Sequence, residues 1–209
     1  MKTRNIFFKT TISIIFLLIG FRVFQLCFRA YVIVILNSVI NGSQSSEQVK
    51  PIIDELANEQ VFSNILLATW IVCFLIWFYI SYKRAQTYSR QHFSYKPIWA
   101  LFSLIIPVFN LFAPYKIMHE IWSAENVDLS QEGTGKKLIN TWWFLGLILV
   151  VFSRYLNDKF QDVDGLDEFM KLECYYLILY GLSIHYFYIL RKLLTMVNSQ
   201  QMYRDKSPA

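Results

Sequence analysis

Charge is scarce in this chain of 209 residues. Asp, Glu, Lys and Arg make up 17% of it, whereas a soluble globular domain carries about 25%. Four or five long stretches lack charge almost completely, and apolar residues reach 55%. This composition excludes an ordinary water-soluble fold and is typical of a protein that crosses a bilayer repeatedly.

Glycine and cysteine are also few. Seven Gly exclude a collagen-like repeat, and three Cys exclude a disulfide scaffold. Cys27, Cys73 and Cys174 lie within or at the edge of apolar stretches, and no C-x-x-C motif is present. We therefore predict that all three are small packing residues, and that the chain binds neither a metal nor another cofactor.

Complete catalytic motifs are missing as well. The segment from His119 to Ser123 (HEIWS) ends in serine where a zinc protease needs its second histidine. The segment from Gly133 to Lys137 (GTGKK) lacks the first glycine and the Mg²⁺-binding hydroxyl of a P-loop, so we predict a flexible turn there. Because no G-x-S-x-G motif and no paired intramembrane carboxylates occur, we predict a non-enzymatic protein without catalytic residues.

Four apolar stretches are long enough to cross a membrane as helices, which takes about 20 residues each. They cover about 10–40, 61–82, 138–154 and 172–190. The sequence thus predicts an all-α fold: a polytopic membrane helical bundle that forms a single domain over 1–209. We expect it in the cell (inner) membrane.

A fifth apolar stretch, 97–114, is interrupted by Pro107 and Asn110. If it does not cross the membrane, fourteen Lys and Arg residues lie on the cytoplasmic side and three outside. If it crosses as a kinked full span, the split becomes nine against eight. Because cytoplasmic flanks carry the excess of basic residues, the count favours a re-entrant segment with both termini and the loop 123–137 in the cytoplasm.

The local sequence suggests how such a segment is built. Nine residues from Ile98 to Ile106 would form a half-length helix, and Val108 to Ala113 would return in extended form. Pro114 then opens an interfacial helix, 114–123, on the inner membrane surface. Its apolar residues oppose its polar ones: Ile117, Met118, Ile121 and Trp122 against Lys116, His119, Glu120 and Ser123.

Parts of this region resemble a known family. They are the run from Trp77 to Ala85 (WFYISYKRA), Trp99, the segment from Ile106 to Tyr115 (IPVFNLFAPY), and the triplet Glu120-Ile121-Trp122. The pattern P-x-x-N-L-x-x-P with its downstream E-I-W is similar to the bacterial integral membrane family catalogued as domain of unknown function 4328, over roughly Val61 to Leu190. The resemblance implies a membrane location and a fold. It implies no catalytic residues, since that family has no established biochemical activity.

Three polar residues share one face of the first span. Arg22, Gln25 and Arg29 are spaced i, i+3 and i+7, and an arginine inside a membrane usually points into the bundle toward a partner. If Thr10 lies at the inner surface, Arg29 comes near the outer edge, where Glu173 begins the last span. We predict that Glu173 pairs with Arg22 or Arg29. Alternatively, Arg29 extends to the interface and Arg22 binds backbone carbonyls.

Other intramembrane polar residues have two interpretations. Asn110, between Pro107 and Pro114, could present an ion or substrate site, but such a residue more often satisfies the broken backbone. His185 could relay protons with the tyrosines of the last span, although a simple hydrogen bond to one tyrosine is the commoner arrangement.

These features favour a scaffold, anchor or sensor component of a membrane complex. A small transporter or channel that uses the break at Pro107 and Asn110 is the alternative, and a membrane enzyme ranks third. The basic residues sit beside the ends of the spans, so we expect anionic lipid headgroups as partners, together with an unidentified protein or a second copy of the chain. We expect no nucleic acid.

Overall fold

The computed structural model describes residues 2–43, 45, 47, 49–89, 91–103, 106–125 and 132–206. It contains seven helices in these ranges and no strand, so the prediction of an all-α fold is confirmed. Their bounds in chain order are α1 Lys2–Ile40, α2 Val49–Tyr88, α3 Trp99–Phe102, α4 Pro107–Asn110, α5 Ala113–Glu125, α6 Glu132–Gln161 and α7 Leu166–Lys206. Four of them, α1, α2, α6 and α7, are long and apolar enough to cross a membrane.

The long helices continue past the predicted spans, and the connections are shorter than predicted. Polar residues such as Glu, Gln and Lys are good helix formers, so the helix goes on where the apolar pattern stops. After α1 the chain turns at Gly42 (φ +72°), and before α7 it turns at Gly165 (φ +102°), a backbone region that favours glycine. Part of the predicted loop 123–137, residues 126–131, lies outside the described residues.

The flexible turn predicted at 133–137 is wrong, because these residues form the first turns of α6. A side chain on Gly135 would overlap the ring of the fully buried Trp122, whereas Gly133 faces open space. Gly135 is therefore where α5 and α6 approach each other closely, and its lack of a side chain serves packing.

The segment between α2 and α5 also differs from prediction. Instead of one nine-residue helix followed by an extended return, it holds two single-turn helices, α3 and α4. Proline at the first position of α4 suits a helical turn, because its φ is already helical and its missing N–H needs no partner there. The amide of Asn110 donates to the carbonyl of Ile106 at 2.7 Å and closes that turn. Helix α5 begins at Ala113, with Pro114 in its first turn.

The chain forms two compact units, and the long helices contribute to both. Unit one comprises Met1–Ile15, Thr69–Phe144 and Tyr188–Ala209. The predicted apolar face of α5 lies in its core, since Ile117, Met118, Ile121 and Trp122 are fully buried. The protein itself covers this face, and the position of α5 at the inner membrane surface stays a prediction.

Unit two comprises Phe16–Ala68 and Leu145–Phe187. One of its hydrophobic clusters is built from Val32, Leu36, Val49, Leu56 and Phe169, and another from Leu156, Leu172, Tyr176, Leu179 and Tyr180. Cys27 and Cys174 are exposed in this unit, and Cys73 in unit one is half-buried. The prediction that all three are packing residues is therefore wrong for Cys27 and Cys174, which point away from the cores.

Candidate functional site

A cluster of buried charges lies in unit two and begins with Arg29 of α1. Its Nη1 donates to both carboxylate oxygens of Glu173 on α7, at 2.6 and 2.8 Å. Its Nη2 donates to the hydroxyl of Tyr180 at 3.3 Å, and the guanidinium lies 4.7 Å from the ring centroid of Tyr176. Glu173 is completely buried. Glu173 thus pairs with an arginine of the first span, as predicted, and that arginine is Arg29.

A second acid, Glu59 of α2, extends the cluster. It accepts a hydrogen bond from Nε2 of Gln25, and its other oxygen lies 3.9 Å from Nη2 of Arg29. Gln25 in turn accepts from Nη1 of Arg22 at 2.5 Å. The guanidinium of Arg22 also lies 5.0 Å from the ring centroid of Tyr180. The face shared by Arg22, Gln25 and Arg29 therefore points at side chains of α2 and α7.

This cluster is balanced in charge. Two arginines face two glutamates, so the group can be buried in an apolar environment without a net charge. Each glutamate comes from a different helix, and α1 supplies both arginines. The arrangement can hold three helices of unit two in one register, because a shift of any helix would separate opposite charges.

Glu59 was not among the predicted site residues, because the predicted second span, 61–82, begins after it. A signal was nevertheless present: Val49, Ile52, Leu56, Glu59 and Ser63 are spaced by three and four residues, which places them on one helix face. All of them are buried or half-buried. The stripe shows that α2 starts well before its apolar run and that Glu59 belongs to its inner face.

A third buried acid, Glu125, joins three helices in unit one. It ends α5 and is fully buried. Nε of Arg84 on α2 lies 3.0 Å from one of its oxygens, and Nη1 of Arg204 on α7 lies 3.8 Å from the other. Both arginines also donate to backbone carbonyls, Arg84 to Gln201 at 3.0 Å and Arg204 to Ala124. The C-terminal end of α5 is therefore fastened to α2 and α7.

Glu120, in the E-I-W triplet, fastens the middle of α5. It accepts from the hydroxyl of Tyr82 at 2.5 Å and from the amide of Ser94 at 3.1 Å. The same Tyr82 hydroxyl accepts from the amide of Tyr95 at 3.3 Å, and Nε2 of Gln91 donates to the carbonyl of Glu120 at 2.9 Å. These hydrogen bonds connect α5 with the segment that follows α2.

His119 lies on the more exposed side of α5, where its Nε2 is 3.1 Å from Oδ1 of Asn140. Partial burial lowers the pKa of His119 below its ordinary value, and the positive charge of Lys136 lowers it further, while the bond to Asn140 opposes the shift. The hydroxyl of Tyr115 donates to the same oxygen at 3.0 Å. Asn140 thus links α5 to α6.

The other predicted residues lie apart from these clusters. Asn110 is half-buried in α4, Pro114 is buried in α5, and the side chain of Pro107 lies outside the described part of the structure. His185 is exposed, and no described residue forms a hydrogen bond with it. The prediction that His185 bonds to a tyrosine is therefore wrong within the described residues. His185 is rotated by about 140° around α7 from the buried Tyr180, so the two side chains point in different directions.

Within the described ranges, no group of three or more His, Cys, Asp or Glu side chains could hold a metal ion. Neither a curated protein nor a solved structure matches the chain. A family model does match, over residues 56–198. This range includes Glu59, Glu125 and Glu173, whereas Arg22 and Arg29 precede it. Since the match covers more than half of the sequence, the chain belongs to the family described as Domain of unknown function (DUF4328).

Proposed function

We propose that this chain is a non-enzymatic, multi-pass membrane protein that acts as a scaffold or anchor in a membrane complex and presents α5 to a partner. The main support for this proposal is that α5 is fixed to the rest of unit one while its polar face stays exposed. Its apolar face is buried, Glu125 and Glu120 fasten it through charged and hydrogen-bonding contacts, and Lys116 and Ser123 remain exposed. A fixed helix with a polar outer face suits recognition of another protein, because little conformational freedom is lost on binding.

The charge cluster around Arg29 supports a structural role for the bundle. Ion pairs that are neutralised within the chain hold helices together, whereas a conducting path needs polar groups that face water. Glu173 has both oxygens engaged by Arg29.

The proposed orientation places both termini and α5 in the cytoplasm. The distribution of Lys and Arg supports it, with fourteen on that side and three on the other. The cell membrane is the proposed location, and anionic lipid headgroups are the proposed partners of these basic flanks.

In this orientation the segment 97–114 is re-entrant. Its bulky apolar side chains support this, because Ile98, Trp99, Phe102, Ile106, Leu111 and Phe112 are all exposed. Backbone groups in lipid need partners within the chain, and bonds such as those from the amide of Ser103 to the carbonyl of Trp99 and from the amide of Asn110 to the carbonyl of Ile106 provide some of them.

Site-specific photo-crosslinking in native membranes tests the scaffold role. A photoreactive amino acid replaces Lys116 or Ser123 on α5, and Lys50, exposed near the start of α2, is the matched control. We expect discrete protein adducts from both α5 positions and none from Lys50. If neither α5 position yields an adduct, or all three yield the same adducts, α5 is not a partner-binding element.

A small transporter or channel is the second candidate. It is supported by the polar chain Arg22, Gln25, Glu59 within long apolar helices, together with the break between α3 and α4. Here Asn110→Asp should leave the protein folded but alter ion flux in liposomes, because a new charge changes binding in a polar cavity more than it changes packing. Equal flux from liposomes with and without the protein would reject this candidate.

A further inference from the structure

A cavity of about 270 Å³ lies where α6 ends and α7 begins. Its floor is apolar, because Leu156 and Leu172 are buried. Its rim is exposed and polar and includes Tyr155, Lys159, Asp162, Glu168, Lys171 and Tyr175. All of these residues belong to unit two. The volume is below that of most pockets for drug-sized ligands and suits a small polar group.

The rim carries both signs of charge. Nζ of Lys159 is 4.0 Å from a carboxylate oxygen of Asp162, at the limit of an ion pair, and both side chains are largely exposed. Lys171 forms no ion pair with any described residue. One oxygen of Glu168 accepts from the amide of Asp164 at 3.1 Å. The rim therefore offers two ammonium groups to an anion and a weakly held carboxylate to a cation.

The cavity adjoins the ends of two apolar stretches, 138–154 and 172–190. Tyrosines concentrate at the level of lipid headgroups, and both Tyr155 and Tyr175 line this cavity. Below it, toward the middle of the same helices, Val151 and Ile178 expose apolar surface along which acyl chains can lie.

We infer that this cavity binds the headgroup of a zwitterionic phospholipid whose cation is a primary ammonium. Lys159 and Lys171 provide donors for the phosphate, and Asp162 accepts from the ammonium. A quaternary ammonium has no N–H to donate, so ethanolamine should be preferred over choline. An anionic headgroup without an amine would meet the carboxylates and be disfavoured.

Native mass spectrometry of the full chain in detergent, with equal amounts of phosphatidylethanolamine, phosphatidylcholine and phosphatidylglycerol, tests this site. We expect phosphatidylethanolamine adducts to dominate. Replacing both lysines (Lys159→Gln with Lys171→Gln) should weaken that lipid's binding about thirty-fold, and Asp162→Asn should remove the preference over phosphatidylcholine. Lys50→Gln with Asp54→Asn, which changes exposed charges at the start of α2, is the matched control and should bind like the unmodified chain.

Equal binding of the three lipids, or unchanged binding by the double lysine variant, would mean general lipid contact and would overturn the inference. Soluble glycerophosphoethanolamine distinguishes the source of the ligand. If it competes as well as the lipid does, the ligand is a soluble phosphoester and the lipid assignment is wrong. Because the substituted side chains are exposed, the variants should melt like the unmodified protein, so lost binding cannot be attributed to unfolding.

Discussion

The guanidinium of Arg29 holds both carboxylate oxygens of Glu173 through one nitrogen, at 2.6 and 2.8 Å, although the two residues are 144 positions apart in the chain. This contact joins α1 to α7 in unit two, and both side chains are buried. Its contribution to the fold can be measured by removing one charge at a time.

Glu173→Gln should strongly destabilise the protein. Removing one partner of a buried ion pair leaves an uncompensated charge, which costs roughly 3–5 kcal/mol in soluble proteins. Glu132→Gln is the control, because Glu132 forms a surface pair with Lys136 that is about half-exposed. Melting temperatures in detergent measure both effects. If the two variants melt at the same temperature, the pair does not stabilise the bundle.

Gly135→Ala and Gly133→Ala should have opposite effects. A methyl group at Gly135 would overlap the ring of Trp122, and overpacking of a core costs about 1–3 kcal/mol. At Gly133 nothing lies within contact distance, so alanine should stabilise α6 by up to about 1 kcal/mol. Melting temperatures of the two variants, compared with that of the unmodified protein, test this prediction. Stabilisation by both would show that α5 and α6 do not approach closely at Gly135.

Glu125→Gln should loosen α5. The substitution leaves Arg84 and Arg204 without their carboxylate, so local opening becomes easier. We expect amide hydrogen exchange of residues 117–122 to rise at least about tenfold, whereas exchange in the middle of α1 stays unchanged. Glu55→Gln, at an exposed position of α2, is the control. Unchanged exchange in α5 would contradict the role assigned to Glu125.

Single cysteines should report the orientation of the chain. In a cysteine-free background, an impermeant maleimide added outside intact cells should label a cysteine at Ser45. It should not label a cysteine at Thr134 or Tyr203. All three positions are exposed, so differences in labelling report the side of the membrane and not burial. Labelling at Thr134 from outside would mean that 97–114 crosses the membrane and would reject the re-entrant segment.

His119 should make stability depend on pH in the acidic range. Because burial lowers its pKa, the unfolded chain binds the proton at a higher pH than the folded chain. Stability is therefore greatest above the ordinary histidine pKa of about 6.5 and falls as the pH drops through it toward the lower folded value. His119→Gln should reduce the loss of melting temperature between neutral and mildly acidic pH. An identical loss in both proteins would show that His119 is not responsible.

Local periodicity predicts a large part of this structure. The apolar face of α5 was predicted from four residues, and Ile117, Met118, Ile121 and Trp122 are buried together. The common face of Arg22, Gln25 and Arg29 was predicted in the same way. These predictions succeed because helical spacing fixes which side chains share a face, whatever the helix packs against.

What a face packs against depends on the tertiary structure. The amphipathic pattern of α5 is the same for a helix on lipid and a helix on protein, and only the burial of Trp122 against Gly135 distinguishes them. Glu59 lies just before the apolar stretch 61–82, so hydropathy alone leaves it in a loop.

The sequence by itself determined the four long apolar helices and the need for an acid near the arginines of α1, since charge in an apolar environment must be compensated. Only the tertiary structure decided that Arg29 holds Glu173, that Glu59 joins them, and that Glu125 fastens α5. The reason is physical: such pairs join residues on different helices, and the energy of an ion pair depends on distances that no spacing along one helix can specify.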